Sequence, residues 1–144
     1  MARMTSHIRA AISRNNEAAG KVNVIYDFNK ISKYYLLGLL NSKVLDYYYR
    51  IKNEAKHLNG GAFGFDTPSV KELPIIVNSK YADKIEVVVK QIINIKRNVN
   101  TTYTSALEQQ IDFLVYHLYD LTYDEVLIVD PETTITKEEY ETNV

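Results

Sequence analysis

Hydrophobic positions change their period along the chain, and each change marks an element. Val22, Val24, Tyr26 and Phe28 alternate with Asn23, Ile25 and Asp27, the two-residue period of a strand with one buried face. From Tyr35 the spacing becomes three to four. Tyr35, Leu36, Leu39 and Leu40 predict a helix capped by Ser32, and Val44, Leu45, Tyr48 and Ile51 predict a second one capped by Ser42. Asn41 lies between them and is expected to end the first helix in the left-handed conformation that Asn tolerates.

After Ile51 the chain turns polar as far as Gly60-Gly61, where backbone freedom permits a tight turn or close approach to a ligand. Phe63 and Phe65 then alternate as a short strand. Thr67-Pro68 has the order of a cap and a first helical position, and Leu73-Pro74-Ile75-Ile76 follows its single turn. An apolar stripe from Tyr81 to Val99 keeps the helical period over residues 80–99, so a long amphipathic helix is predicted although its β-branched residues favour a strand. Ser105-x-x-Glu108 and Thr122-x-x-Glu125 are capping boxes opening two further helices, and Pro131 stops the last.

The fold class this pattern predicts is α+β: a helix-dominated single domain with long amphipathic helices and a small β-sheet built from residues 22–28 and 61–66. Residues 1–20 are expected to be a flexible arm or the truncated N-terminal part of a longer domain, residues 21–130 the folded domain, and residues 131–144 an acidic, mobile tail.

Composition narrows the function classes. With 144 residues, 46% of them hydrophobic and 24% charged, the chain has enough apolar mass for one core. No apolar run reaches the roughly 18 to 20 residues of a membrane span, so no membrane partner and a cytoplasmic location are expected. The absence of cysteine excludes disulfides, thiolate zinc sites and cysteine nucleophiles. Net charge is −1, but residues 108–144 hold ten acids against one lysine, a charge of −9, which leaves +8 on residues 1–107. A basic body of that kind attracts phosphate, and an acidic end is repelled by it.

Catalytic patterns are missing. The prolines, Pro68, Pro74 and Pro131, stand apart, so no Asn-Pro-Pro-aromatic loop exists for amino-methyl transfer. No Gly-rich loop joins a strand to a helix as a nucleotide or S-adenosylmethionine site requires. Asp46, Glu54 and Lys56 formally supply the acids and lysine of a magnesium-dependent nuclease, but their spacing on one helix suits surface positions better. His7, His57 and His117 are scattered, and His117 on an apolar helix reads as a partly buried structural histidine.

Recognition chemistry remains. Lys43, Arg50, Lys52, Lys56 and His57 overlap Tyr47, Tyr48 and Tyr49 and lead into Asn59, Gly60 and Gly61. Cations suit phosphates, and rings or exposed backbone donors suit bases, so Lys43, Arg50, Lys52, Lys56, His57, Asn59, Gly60 and Gly61 are the candidate DNA-binding residues.

The order YYLLGLLNSKVLDYYYR, GGAFGF, KELPII and IDFLVYHLYDLTYDEVLIV resembles the C-terminal specificity domain of TaqI-type adenine DNA methyltransferases and of fused type IIG restriction-modification enzymes. The resemblance covers about residues 22–130. It lies in Asn41-Ser42-Lys43, Gly60-Gly61-Ala62-Phe63, Leu73-Pro74-Ile75 and the run Ile111–Thr122, with Asp120 where glycine is usual. It implies a target-recognition module that positions duplex DNA for a methyltransferase or endonuclease domain or subunit. S-adenosylmethionine and magnesium would then belong to that partner, with no cofactor and no catalysis in this chain. Such domains extend farther on the N-terminal side, so this chain is expected to be a C-terminal part. Two alternatives stand beside it: a fragment of a type I specificity subunit, disfavoured by the break at Asp120, and a helical assembly protein that never meets DNA.

Overall fold

The computed structural model describes residues 1, 4–13, 22–26, 28, 30–54, 63–77, 80–98 and 103–142. Among them are seven helices: α1 (Lys33–Leu40), α2 (Lys43–Lys52), α3 (Thr67–Lys71), α4 (Ala82–Asn98), α5 (Ser105–Leu118), α6 (Tyr123–Val129) and α7 (Lys137–Thr142). Among the described residues the fold is helix-dominated, with one two-residue strand pairing and no sheet with a face of its own, and the expected α+β class with a small sheet is overturned.

The sheet fails at its first strand. Val22 makes an isolated bridge and residues 23–26 form no strand. The alternation is absent too: Asn23 is buried, whereas Val24, Ile25 and Tyr26 in succession are exposed. Asn23 is held by polar bonds, its Nδ2 donating to the Phe65 carbonyl at 2.8 Å and its Oδ1 accepting from Thr67 Oγ1 at 3.1 Å. The only ladder among the described residues is an antiparallel pair of two-residue segments, Met4–Thr5 and Phe63–Gly64, with Met4 opposite Gly64. Two residues a side build no sheet face.

The helices follow their sequence signals closely. Ser32 Oγ accepts from the Tyr34 and Tyr35 amides, and Ser42 Oγ accepts from Leu45 N. The corner between α1 and α2 is closed by Ser42 Oγ donating to the Leu39 carbonyl at 2.7 Å, with Ser42 itself buried. Asn41 is not left-handed as expected (φ −98°). Its side chain ties down the N-terminal segment instead, accepting from Ala10 N at 2.9 Å and donating to Ala10 O at 3.1 Å. The cap of α3 is Asp66, one residue before the predicted Thr67.

At the end of α5, Asp120 takes the left-handed conformation (φ 52°), while Leu121 N donates to Tyr116 O and Asp120 N to His117 O. That bond pair is a Schellman stop, which turns the chain into the complete capping box of Thr122 and Glu125. The expected box at Ser105 does not form. Thr104 precedes α5 without a side-chain cap bond, and Glu108 turns to Thr104 Oγ1 and Lys96.

The core lies where α4 packs between α1 and α5, with α2 against α5 and α6. Leu39, Leu45, Ile85, Val115 and Val126 are fully buried there. Tyrosine hydroxyls fasten the connecting segments: Tyr35 to Ile76 O, Tyr119 to Pro74 O, and Tyr49 to Gly64 O at 2.7 Å. Tyr49, stacked on Phe65 with centroids 4.5 Å apart, takes the core position assigned to Tyr48, and Ile51 is exposed. Removing the hydroxyl by Tyr49→Phe is expected to cost about 1–2 kcal/mol, because the Gly64 carbonyl loses its donor while the ring packing stays. A urea midpoint unchanged from wild type would refute this.

The acidic end is also folded. Thr136 and Glu139 exchange the bonds of a second capping box, and Tyr140 of α7 is buried against Phe113 and His117, its hydroxyl donating to Leu121 O at 2.6 Å. Residues 131–142 are therefore not a mobile tail.

Candidate nucleic-acid interface

The chain's cations meet at a groove that no single stretch of sequence outlines. It has a volume of about 560 Å³ and lies between the N-terminal segment 7–12, the α1–α2 corner, the last turns of α4 and the first turns of α5. Ile8, Leu37, Val89, Ile92 and Ile111 line its floor, and Arg9, Lys43, Lys96 and Arg97 its sides, with His7 beside them.

Each cation is placed by local structure. Ile8 anchors the N-terminal segment: its side chain is buried and its N–H donates to Asp46 Oδ1 at 2.7 Å. The bond between the Arg9 guanidinium and His7 Nε2, 3.0 Å long, then orients Arg9. Lys96 and Arg97 end α4, where positive charge complements the helix dipole. Lys43 opens α2.

Two cations have carboxylate partners. Lys96 Nζ is 2.8 Å from Glu108 Oε1, and Lys43 Nζ is 3.4 Å from Asp130 Oδ1. Both lysines are about half exposed, the range in which an ion pair is weak and readily exchanged. Arg9 and Arg97 have no carboxylate partner among the described residues.

One carboxylate faces the groove without an ammonium bonded to it. Asp112 Oδ1 accepts the Lys43 backbone N–H at 2.9 Å, while Lys43 Nζ goes to Asp130. Burial pushes the Asp112 carboxyl up to about 7; the nearby Asp130 and Glu108 add to the rise, and the Lys43 N–H and ammonium oppose it.

The residues expected from the sequence are only partly assembled. Lys43 lies in the groove. Arg50 is 4.0 Å from Asp46, one turn back on α2. Lys52 points the other way, since nine residues at 100° each bring it to the side of α2 opposite Lys43. There it contacts Glu72 at 3.3 Å and the Tyr48 hydroxyl at 3.1 Å. Lys56, His57, Asn59, Gly60 and Gly61 lie outside the described residues. Tyr49, a candidate stacking ring, is a core residue.

Arg9, Lys96 and Arg97 were missed because they come from elements far apart in sequence. Lys96-Arg97 does stand out as a basic pair, but a helix end explains it equally well.

Asp46, read as a surface acid of a conceivable metal site, is half-buried, and burial raises its pKa despite the Ile8 N–H and Arg50. Among the described residues no group of three His, Asp or Glu is placed to hold a metal ion, and no helix is long and apolar enough to cross a membrane. His117 stacks on Tyr140 at 4.2 Å with Nε2 buried and unbonded; burial, and then Lys80, lower its pKa.

No family model matches the chain, and no curated protein and no solved structure is similar to it. The resemblance to TaqI-type specificity domains therefore rests on its sequence motifs alone.

Proposed function

We propose that the chain is a DNA-recognition module of a restriction-modification enzyme, which holds duplex DNA for a methyltransferase or endonuclease carried by another domain or subunit. The observation behind this reading is the groove. Four cations from three separate elements converge there, and two of them are arginines with no carboxylate partner among the described residues. Arginine forks suit phosphate oxygens, and Lys96, whose carboxylate partner Glu108 is exposed, can exchange it for a phosphate at small cost. The apolar floor adds a surface that excludes water from those contacts. In this reading S-adenosylmethionine and magnesium act on the partner.

The test is titration of the purified chain with random-sequence duplex at several salt concentrations. Counterion release predicts an affinity that falls steeply with salt. The double change Arg9→Gln/Arg97→Gln is expected to weaken binding by about tenfold or more and to reduce the logarithmic salt slope by about 2. Equal slopes for variant and wild type would sink the assignment of the groove.

A helical assembly protein is the second reading, favoured by the helix-dominated fold and by Leu127 and Ile128 exposed on α6. Absence of duplex binding at low salt, together with a stable oligomer, would select it.

A further inference from the structure

Phosphate binding does not account for Asp112, an acid that lines the groove beside four cations and, unlike Glu108, has no ammonium bonded to it. Its surroundings come from every side of that groove. Lys43 of α2 gives it a backbone N–H at 2.9 Å but spends its ammonium on Asp130 at the end of α6. Glu108 and Tyr116 lie on its own helix, and the Tyr116 hydroxyl donates to Asp130 Oδ2 at 3.1 Å rather than to Asp112. Lys96 and Arg97 of α4 and His7 and Arg9 of the N-terminal segment line the same groove. Asp112 is thus half-buried, held by one neutral donor, and next to two other carboxylates.

Such a site favours the neutral acid, and an incoming anion favours it further. A phosphate in the groove meets repulsion from an ionised Asp112 and none from a protonated one. By linkage, whatever the proton does to phosphate affinity, phosphate does to proton affinity. The chemistry is a proton transfer from solvent to the carboxylate, with no other bond made or broken.

We propose that Asp112 is a proton-operated gate of this groove, admitting duplex phosphates when neutral and weakening their binding when ionised. The gate rests on the DNA-binding reading of the same groove. With the carboxyl near 7, both forms are populated at neutral pH, so modest pH changes shift the balance.

The experiment follows binding of a random-sequence duplex by fluorescence anisotropy from pH 5.5 to 8.5 at fixed salt. His7 is the histidine that lines the groove, so His7→Gln is the background. That protein is expected to lose about fivefold or more in affinity between pH 6 and pH 8. Adding Asp112→Asn should flatten the profile and leave, at pH 8, the affinity that the background shows at pH 6. An equal pH slope in the two proteins overturns the gate while leaving DNA binding intact. No duplex binding at any pH overturns the DNA reading and the gate with it.

Calorimetry on the unmodified chain, in buffers of different ionisation enthalpy, supplies a measurement that needs no variant. Net proton uptake on binding duplex near pH 7 is expected, and zero uptake overturns the gate.

Discussion

Gly38→Val is expected to destabilise the protein by about 3 kcal/mol or more, lowering Tm by on the order of 10 °C. A Cβ placed at Gly38 would lie 2.6 Å from Ile85 Cγ2 and 3.1 Å from Val89 Cγ2, with Ile111 Cγ2 at 3.8 Å. Ile85 and Val89 are buried on α4, and their branched side chains keep one preferred rotamer in a helix, so they cannot swing aside. The strain must separate α1 from α4, the contact around which the core is built. Gly38→Ala meets the same first clash but regains about 1 kcal/mol of helix propensity, so its net loss is smaller. Urea unfolding measures the series wild type, Ala, Val. A valine variant within about 0.5 kcal/mol of wild type would mean that α1 and α4 do not pack through Gly38.

Gly38 also marks the boundary of what is legible in this sequence. Inside the helix α1 it carries no turn signal, and only the position of α4 explains it. Helix starts governed by bonds of three residues or fewer, at Ser32, Ser42 and Thr122, were all readable. So was the stop at Asp120, which stands where the motif usually has glycine and takes the left-handed conformation that glycine adopts freely. Thr136-x-x-Glu139 obeys the same capping rule but was hidden by the run of acids around it, which suggested a solvated tail.

Errors arose where a distant partner decides. Asn23, and not its apolar neighbours, is the buried residue of its segment because Phe65 and Thr67 hold its amide. Glu108 leaves the box at Ser105 because Lys96 and Thr104 engage it. The candidate site divides in the same way. Lys43 was readable as a cation at a helix corner, but its grouping with Arg9 and Arg97 depends on how the N-terminal segment lies beside α4. Lys52, on the side of α2 opposite Lys43 and Arg50, shows why a basic run in sequence need not become a basic patch in space.

Asp112→Asn is expected to raise the stability of the free protein at pH 8, by up to about 4 kcal/mol, with no gain at pH 4. The carboxyl rises from its ordinary 3.8 to about 7 on folding, chiefly through burial. In the unfolded chain it ionises in water, so above pH 4 the folded state binds the proton more tightly than the unfolded one. Stability from this group is therefore full below pH 4, declines as pH rises, and is lost above about 7. Roughly three pKa units correspond to about 4 kcal/mol, an upper value because Asp112 is only half-buried.

Asparagine has no such loss, and its carbonyl oxygen can still accept the Lys43 N–H. Two other carboxyls near the groove are shifted as well: burial raises Asp46, whereas the bonds to Lys96 and then Thr104 lower Glu108. Their contributions cancel when variant and wild type are compared at each pH. The difference in urea midpoint should grow between pH 4 and pH 7 and level off beyond. A constant difference across that range would show that Asp112 ionises in the folded protein as it does in water.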